Sequence, residues 1–221
     1  MNRLISKIIQ DVHLKLEFHH GPMQWQSAQA PVDVLVETIL SQSTTDHNRD
    51  MAFRNLKATY SNWEEVISIS QDELAETIRS AGLNHQKAER IQVALKTLLE
   101  EQGEFSLDYL KSMTPEEAVK DLTRLPGVGK KTAGIILTFS LNIPYFAVDT
   151  HVTRITRRLG WVPPKKDPHD VMNALVPDDL KGPLHIHLVH HGRQTCKARK
   201  PFCDDCVIKE MCPVFTEGAP L

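Results

Sequence analysis

A chain of 221 residues with 41% apolar and 24% charged content is long enough for one large domain or two small ones, each with its own core. No apolar run reaches the length of a membrane span, and Lys7, Gln10 and Asp11 break up the opening MNRLISKIIQDVHLKL, which argues against a secretory leader. A net charge of −2 excludes little, but residues 120–200 hold fourteen Lys and Arg against six Asp and Glu, and the rest of the chain twelve against twenty-two. A basic segment on an otherwise acidic chain fits a polyanion-binding face, although chance clustering of solvated charge would look the same. These features lead us to expect an intracellular, cytoplasmic protein with no membrane partner, and a monomer.

In chain order, residues 3–18 carry Leu4, Ile5, Ile8, Ile9, Val12 and Leu16 on one helical face, and Gly21-Pro22 ends that element. Pro31 opens a mostly apolar helix, PVDVLVETILSQ. Ser70 and Glu73 form the pattern of a capping box, with Gly82 as the expected C-cap. From His85 a helical pattern runs to a stop at Gly103. Thr114-Pro115-Glu116-Glu117 combines an N-cap, a proline at the first helical position and a capping box, and the helix it starts is predicted to reach about Leu125. KKTAGIILTFSL then reads as a buried helix, and Asp149 caps another that Gly160 stops. DPHDVMNALV and GPLHIHLVHHGRQTC complete the set. No strand alternation and no repeat is present, so the fold class is all-α.

All four cysteines, Cys196, Cys203, Cys206 and Cys212, fall near the C-terminus with the spacing C-x6-C-x2-C-x5-C. Disulfides would need an oxidising compartment, for which the chain gives no sign. A structural zinc site and an iron–sulfur cluster both remain. Zinc sites usually come as two CxxC-like pairs, and only Cys203 and Cys206 form one here, so the spacing favours the wider cluster. The loop between the first two cysteines carries Lys197, Arg199 and Lys200 and no acid. It either offsets cluster charge from solvent or presents cations to phosphates.

Leu125-Pro126-Gly127-Val128-Gly129 lies between two predicted helices, followed by Lys130, Lys131 and Thr132. Such a turn is either an ordinary helical corner or a place where backbone N–H groups face a phosphate without reading sequence. Asp149 caps its helix in either case, and could also stabilise positive charge developing on a sugar or assist proton transfer. His185, His187, His190 and His191 form a dense group just before the cysteines, and we expect them to pack around the metal site rather than build a second one.

TRLPGVGKKTAG, the following AVDTH and the C-x6-C-x2-C-x5-C tail together resemble the endonuclease III group of the helix-hairpin-helix DNA glycosylase superfamily. ILSQSTTD (39–46) and GLNHQKAERI (82–91) extend the resemblance over nearly the whole chain. It implies a two-lobed all-α fold. A six-helix barrel spans about 31–144 and holds the helix-hairpin-helix motif at about 115–140. A second lobe combines 1–30 with 145–221, carries a [4Fe–4S] cluster on the loop 196–212, and meets the barrel at a DNA cleft. The implied partner is double-stranded DNA containing damaged bases or abasic sites, with the target nucleotide flipped out of the stack.

Family members that both excise a base and cut the strand carry a lysine immediately before the threonine of LPGVGxKT, and here that residue is Lys131. The resemblance therefore implies Lys131 as the nucleophile at C1′, Asp149 as its assistant, and Lys130 as a neighbouring charge. The chemistry needs a neutral amine, which desolvation and a nearby cation favour. Leu83 matches the family's apolar wedge. Where the family fills the emptied stack with the glutamine of LSxQxTD, this chain has Ser43, with Gln42 one place early. Serine is too short for that task, so the resemblance leaves open whether Gln42 or another residue takes it over. The expected function is a bifunctional glycosylase and abasic-site lyase for oxidised, mainly pyrimidine, bases. A monofunctional enzyme of the same fold, acting on mismatches or alkylated bases, and a non-catalytic DNA-binding relative are the alternatives.

Overall fold

The computed structural model describes residues 2–24, 27 and 29–218. The Leu4 side chain, placed on the apolar face of the first helix by its spacing, lies outside what is described. The helices are α1 (Asn2–His20), α2 (Pro31–Leu40), α3 (Asp46–Thr59), α4 (Trp63–Ser68), α5 (Gln71–Thr77), α6 (Asn84–Gln102), α7 (Pro115–Leu122), α8 (Lys130–Ile135), α9 (Thr150–Arg158), α10 (Pro168–Leu175), α11 (Lys181–Gln194) and α12 (Pro213–Thr216). Short 3-10 turns punctuate them, and no strand occurs among the described residues, as the all-α reading requires.

The chain divides into two compact units, one of residues 28–136 and one of 1–27 with 137–221. In the first, α6 packs on α2, α4 and α5, and α8 packs on α2 and α7. Leu35, Ile39, Leu56, Leu74, Ile78, Ile91 and Leu95 are sealed in its core. In the second, α1 and α9 both pack on α11. Its core joins Ile9, Val12 and Leu16 of α1 to Val152 and Ile155 of α9 and Leu184 and Leu188 of α11, and Cys196, Cys206 and Cys212 lie against it.

Local chemistry sets most of the helix ends. Thr114 Oγ1 accepts from Glu117 N while Glu117 Oε2 accepts from Thr114 N at 2.9 Å, so the box predicted at α7 is complete. At α5 only half of the box forms. Ser70 accepts from Glu73 N, but Glu73 Oε1 is turned toward the Tyr60 hydroxyl at 3.5 Å. The helix stops at Thr77, and Gly82, the expected C-cap, closes the 3-10 turn Arg79–Ala81 instead. Helix α7 ends at Leu122, short of Leu125, because the chain bends into the glycine turn there. Beyond α8 the helix widens into a π turn at Ile136–Ser140.

Candidate DNA-processing site and cysteine centre

The glycine turn is held from behind. Val128 N donates to Leu125 O at 3.0 Å, and Gly127 takes φ +82, a left-handed conformation that favours glycine. A Cβ on Gly127 would lie 2.7 Å from Cδ of Arg90, which arches over it from α6. Gln42, just past the end of α2, donates from Nε2 to Gly127 O at 2.6 Å, while its Oε1 accepts from Arg90 Nη1 at 2.9 Å. Both ends of the Gln42 amide are therefore engaged, and the hairpin is tied to two distant helices.

Gly129 precedes α8 in an extended conformation, so Lys130 and Lys131 stand on the first turn of the helix. The Lys131 side chain is exposed, and no hydrogen bond or ion pair joins it to another described residue. Val128 and Thr132 have buried side chains, so only their backbone could meet a ligand. Asp149, on the other unit, caps α9 by accepting from Val152 N at 2.7 Å, the role its position predicts.

Two exposed non-glycine residues of the first unit are in the left-handed region, Ser43 at φ 53 and Leu83 at φ 49. Leu83 is 58% exposed, an unusual place for a large apolar side chain in a conformation that β-carbons disfavour. Sequence reasoning missed Lys87, which lies close behind Leu83. Its Nζ donates to Leu40 O at 2.8 Å and Ala81 O at 2.7 Å from a fully buried position. A signal was available. Lys87 shares a helical face with Ile91, Ala94 and Leu98, all buried.

In the second unit the four cysteines are free thiols that line one cavity together with Arg158 and His191. Burial, reinforced by the neighbouring cysteines, pushes the Cys206 thiol up to about 11 and raises Cys203 as well. Thiolates gathered around one cavity need cations to compensate them. Arg158, 8% exposed, supplies part of that. Its Nη1 donates to Cys196 Sγ at 3.2 Å and to Lys197 O at 2.8 Å, and its Nη2 donates to Ala198 O at 3.2 Å. Its Nε is buried without a partner. Arg154 binds Cys196 O, and a Cβ on Gly192 would lie 2.7 Å from Nδ1 of His151, so α9 and α11 hold the start of the loop tightly.

His191 Nε2 lies 3.4 Å from Cys206 Sγ, and its Nδ1 lies 3.4 Å from His20 Nε2. No three His, Cys, Asp or Glu side chains among the described residues form a group that could hold a single metal ion. Thiols arranged around a cavity, faced by buried N–H donors, fit a multi-atom anionic cluster better than one small ion. Lys197, Arg199 and Lys200 are exposed on the loop these thiols delimit, Lys200 with φ 51. No helix among the described residues is long and apolar enough to cross a membrane.

Residues 36–177 match the HhH-GPD superfamily of base excision DNA repair proteins. Endonuclease III of Thermotoga maritima is 36% identical over 187 residues, covering 84% of each chain. Endonuclease III of Rickettsia conorii is 39% identical over 186 residues, covering 82% of this chain and 83% of its own. Among solved structures, a trapped endonuclease III–DNA covalent intermediate superposes with a TM-score of 0.78 at 25% identity, over 99% of this chain and 98% of that one.

Proposed function

Because the chain belongs to the HhH-GPD superfamily, as an endonuclease III-like DNA glycosylase, we propose that it is the bifunctional kind, excising oxidised pyrimidines and then cutting the strand. The observation that carries this reading is Lys131, an exposed lysine on the first turn of α8, directly after a turn braced by Gln42 and Arg90. The covalent trapping of a structural neighbour on DNA supports it.

In this mechanism the neutral Lys131 amine attacks C1′ as the glycosidic bond breaks, and the damaged base leaves with a proton. The nitrogen gives up one proton and keeps the other, and the sugar ring opens to a protonated Schiff base as O4′ takes up a proton. Loss of a C2′ proton then expels the 3′ phosphate by β-elimination, and water releases Lys131. Asp149 assists by stabilising the cationic sugar and taking part in proton transfer. The hairpin backbone and the first turn of α8 seat a phosphate beside the reacting nucleotide. Leu83 enters the stack where the nucleotide leaves it. With Gln42 already bound to Gly127 and Arg90, its part is to brace the hairpin, and the short Ser43 side chain is left at the position facing the opposite base.

Cys196, Cys203, Cys206 and Cys212 would hold a [4Fe–4S] cluster, which supplies a rigid anionic anchor for the loop, with zinc the alternative. Pinned at its ends, that loop offers Lys197, Arg199 and Lys200 to the DNA backbone.

The test is a duplex with one oxidised pyrimidine, followed for base release and strand scission separately. The wild type should give both without a second enzyme. Base release with intact strands would point to a monofunctional glycosylase and a silent Lys131.

A further inference from the structure

Lys87 is a buried cation that joins the ends of two helical segments. It is 1% exposed, and no carboxylate among the described residues forms an ion pair with it. Burial, with Arg90 as a second cause, lowers its affinity for a proton. An apolar side chain of similar length would fill the same space and spare the amine's desolvation, but it would leave the Leu40 and Ala81 carbonyls without this donor. What the amine contributes is geometric. Leu40 is the last residue of α2, and Ala81 the last of the 3-10 turn Arg79–Ala81. One Nζ binds both carbonyls, at 2.8 and 2.7 Å, and so fixes the distance between two chain ends far apart in sequence.

Each of those ends runs directly into one of the exposed left-handed residues. Ser43 follows Leu40 by three positions, and Leu83 follows Ala81 by two, through Gly82 at φ 67. Leu83 has no side-chain cap bond to secure it at the start of α6. Residues held exposed in such conformations persist only where their surroundings over-determine them, and here the common surrounding is the Lys87 ammonium.

Resting on the glycosylase reading above, we propose that Lys87 is a positioning residue for nucleotide flipping. It sets the spacing of the Leu83 and Ser43 loops so that both meet the duplex together as the target nucleotide leaves the stack. It touches neither the DNA nor the reacting sugar. Its effect is confined to substrates that must be opened.

The test compares single-turnover strand cleavage on two abasic substrates at saturating protein. One is a fully paired duplex. In the other the abasic site sits in an unpaired bulge, already out of the stack. Lys87→Met should slow the paired substrate by about 10- to 100-fold, the scale of a misplacement near 1 Å, and the bulged one less than about threefold. Leu83→Ala should show the same split, and the double variant should add little to either single one, as expected for residues acting as a unit. Lys87→Gln, which keeps a shorter donor, should fall between Lys87→Met and wild type.

Equal slowing on both substrates, or no slowing on the paired one by folded Lys87→Met, would overturn the proposal. So would failure of both Lys87 variants to fold, which would assign the lysine to stability. A folded wild type silent on both substrates would overturn the strand-cleaving, bifunctional reading above, and the proposal with it.

Discussion

Gln42 Nε2 donates to the Gly127 carbonyl at 2.6 Å, joining residues 85 positions apart across the first unit. The bond makes the hairpin part of a braced assembly rather than a free turn, since Arg90 holds the other end of the same amide. Gln42→Leu leaves a partly buried carbonyl and a guanidinium without partners. It should cost about 1–3 kcal/mol of stability, measured by urea denaturation, because an unsatisfied group loses its full desolvation compensation. Gly127→Ala should cost a comparable amount by pressing a Cβ onto Arg90 in a positive-φ conformation, roughly 1–3 kcal/mol. Stabilities indistinguishable from wild type would show that the brace carries no strain or energy.

The cysteine centre predicts a coloured protein. Anaerobic purification should yield about four iron and four sulfide per chain with a yellow-brown absorbance. Arg158→Met should lower iron retention, because it removes the N–H donors that face Cys196 and the loop carbonyls. A colourless, folded protein with stoichiometric zinc would favour the other assignment.

The loop that begins at Cys196 predicts a salt effect. Replacing Lys197, Arg199 and Lys200 by alanine should weaken binding to undamaged and damaged duplex alike. It should also reduce the slope of log K against log salt by about 0.9 for each phosphate that is no longer neutralised. An unchanged slope would leave these exposed cations as solvated charge only.

Histidines on α1 and α11 set a pH dependence. Burial, followed by His190, His19 and His187, lowers His20 to about 4, and burial with His187 lowers His13, opposed by Glu17 and Asp179. Both groups bind protons more readily in the unfolded chain, where the ordinary value is 6.5. The contribution of each is therefore complete above about 6.5 and lost as pH falls below it, for His20 down to about 4. Thermal denaturation across that window should show a falling Tm, and His13→Asn should flatten the fall. A Tm that rises on acidification would contradict the assignment.

Local rules made much of this legible in the sequence. The Thr114 box, the Asp149 cap and the positive-φ glycine of the hairpin follow from residues within a few positions of one another. The gathering of the four cysteines around one cavity was readable because all four lie in one short segment. What was hidden depends on distant partners. The box at Ser70 failed because Tyr60 lies beside Glu73. Gln42 could be placed only by knowing that Gly127 folds back onto it. Lys87 looked like surface by residue type, although its helical face was apolar, and Arg158 likewise shares a face of α9 with Val152 and Ile155. Buried cations are rare enough that periodicity alone does not assign them.

The central claim concerns Lys131, and borohydride trapping on a duplex with one abasic site tests it most directly. Wild-type protein should give a covalent protein–DNA band, because reduction fixes the Schiff base, and Lys131→Gln should give none while still binding the duplex. No band from a folded, DNA-binding wild type, or a band that survives in Lys131→Gln, would contradict the account.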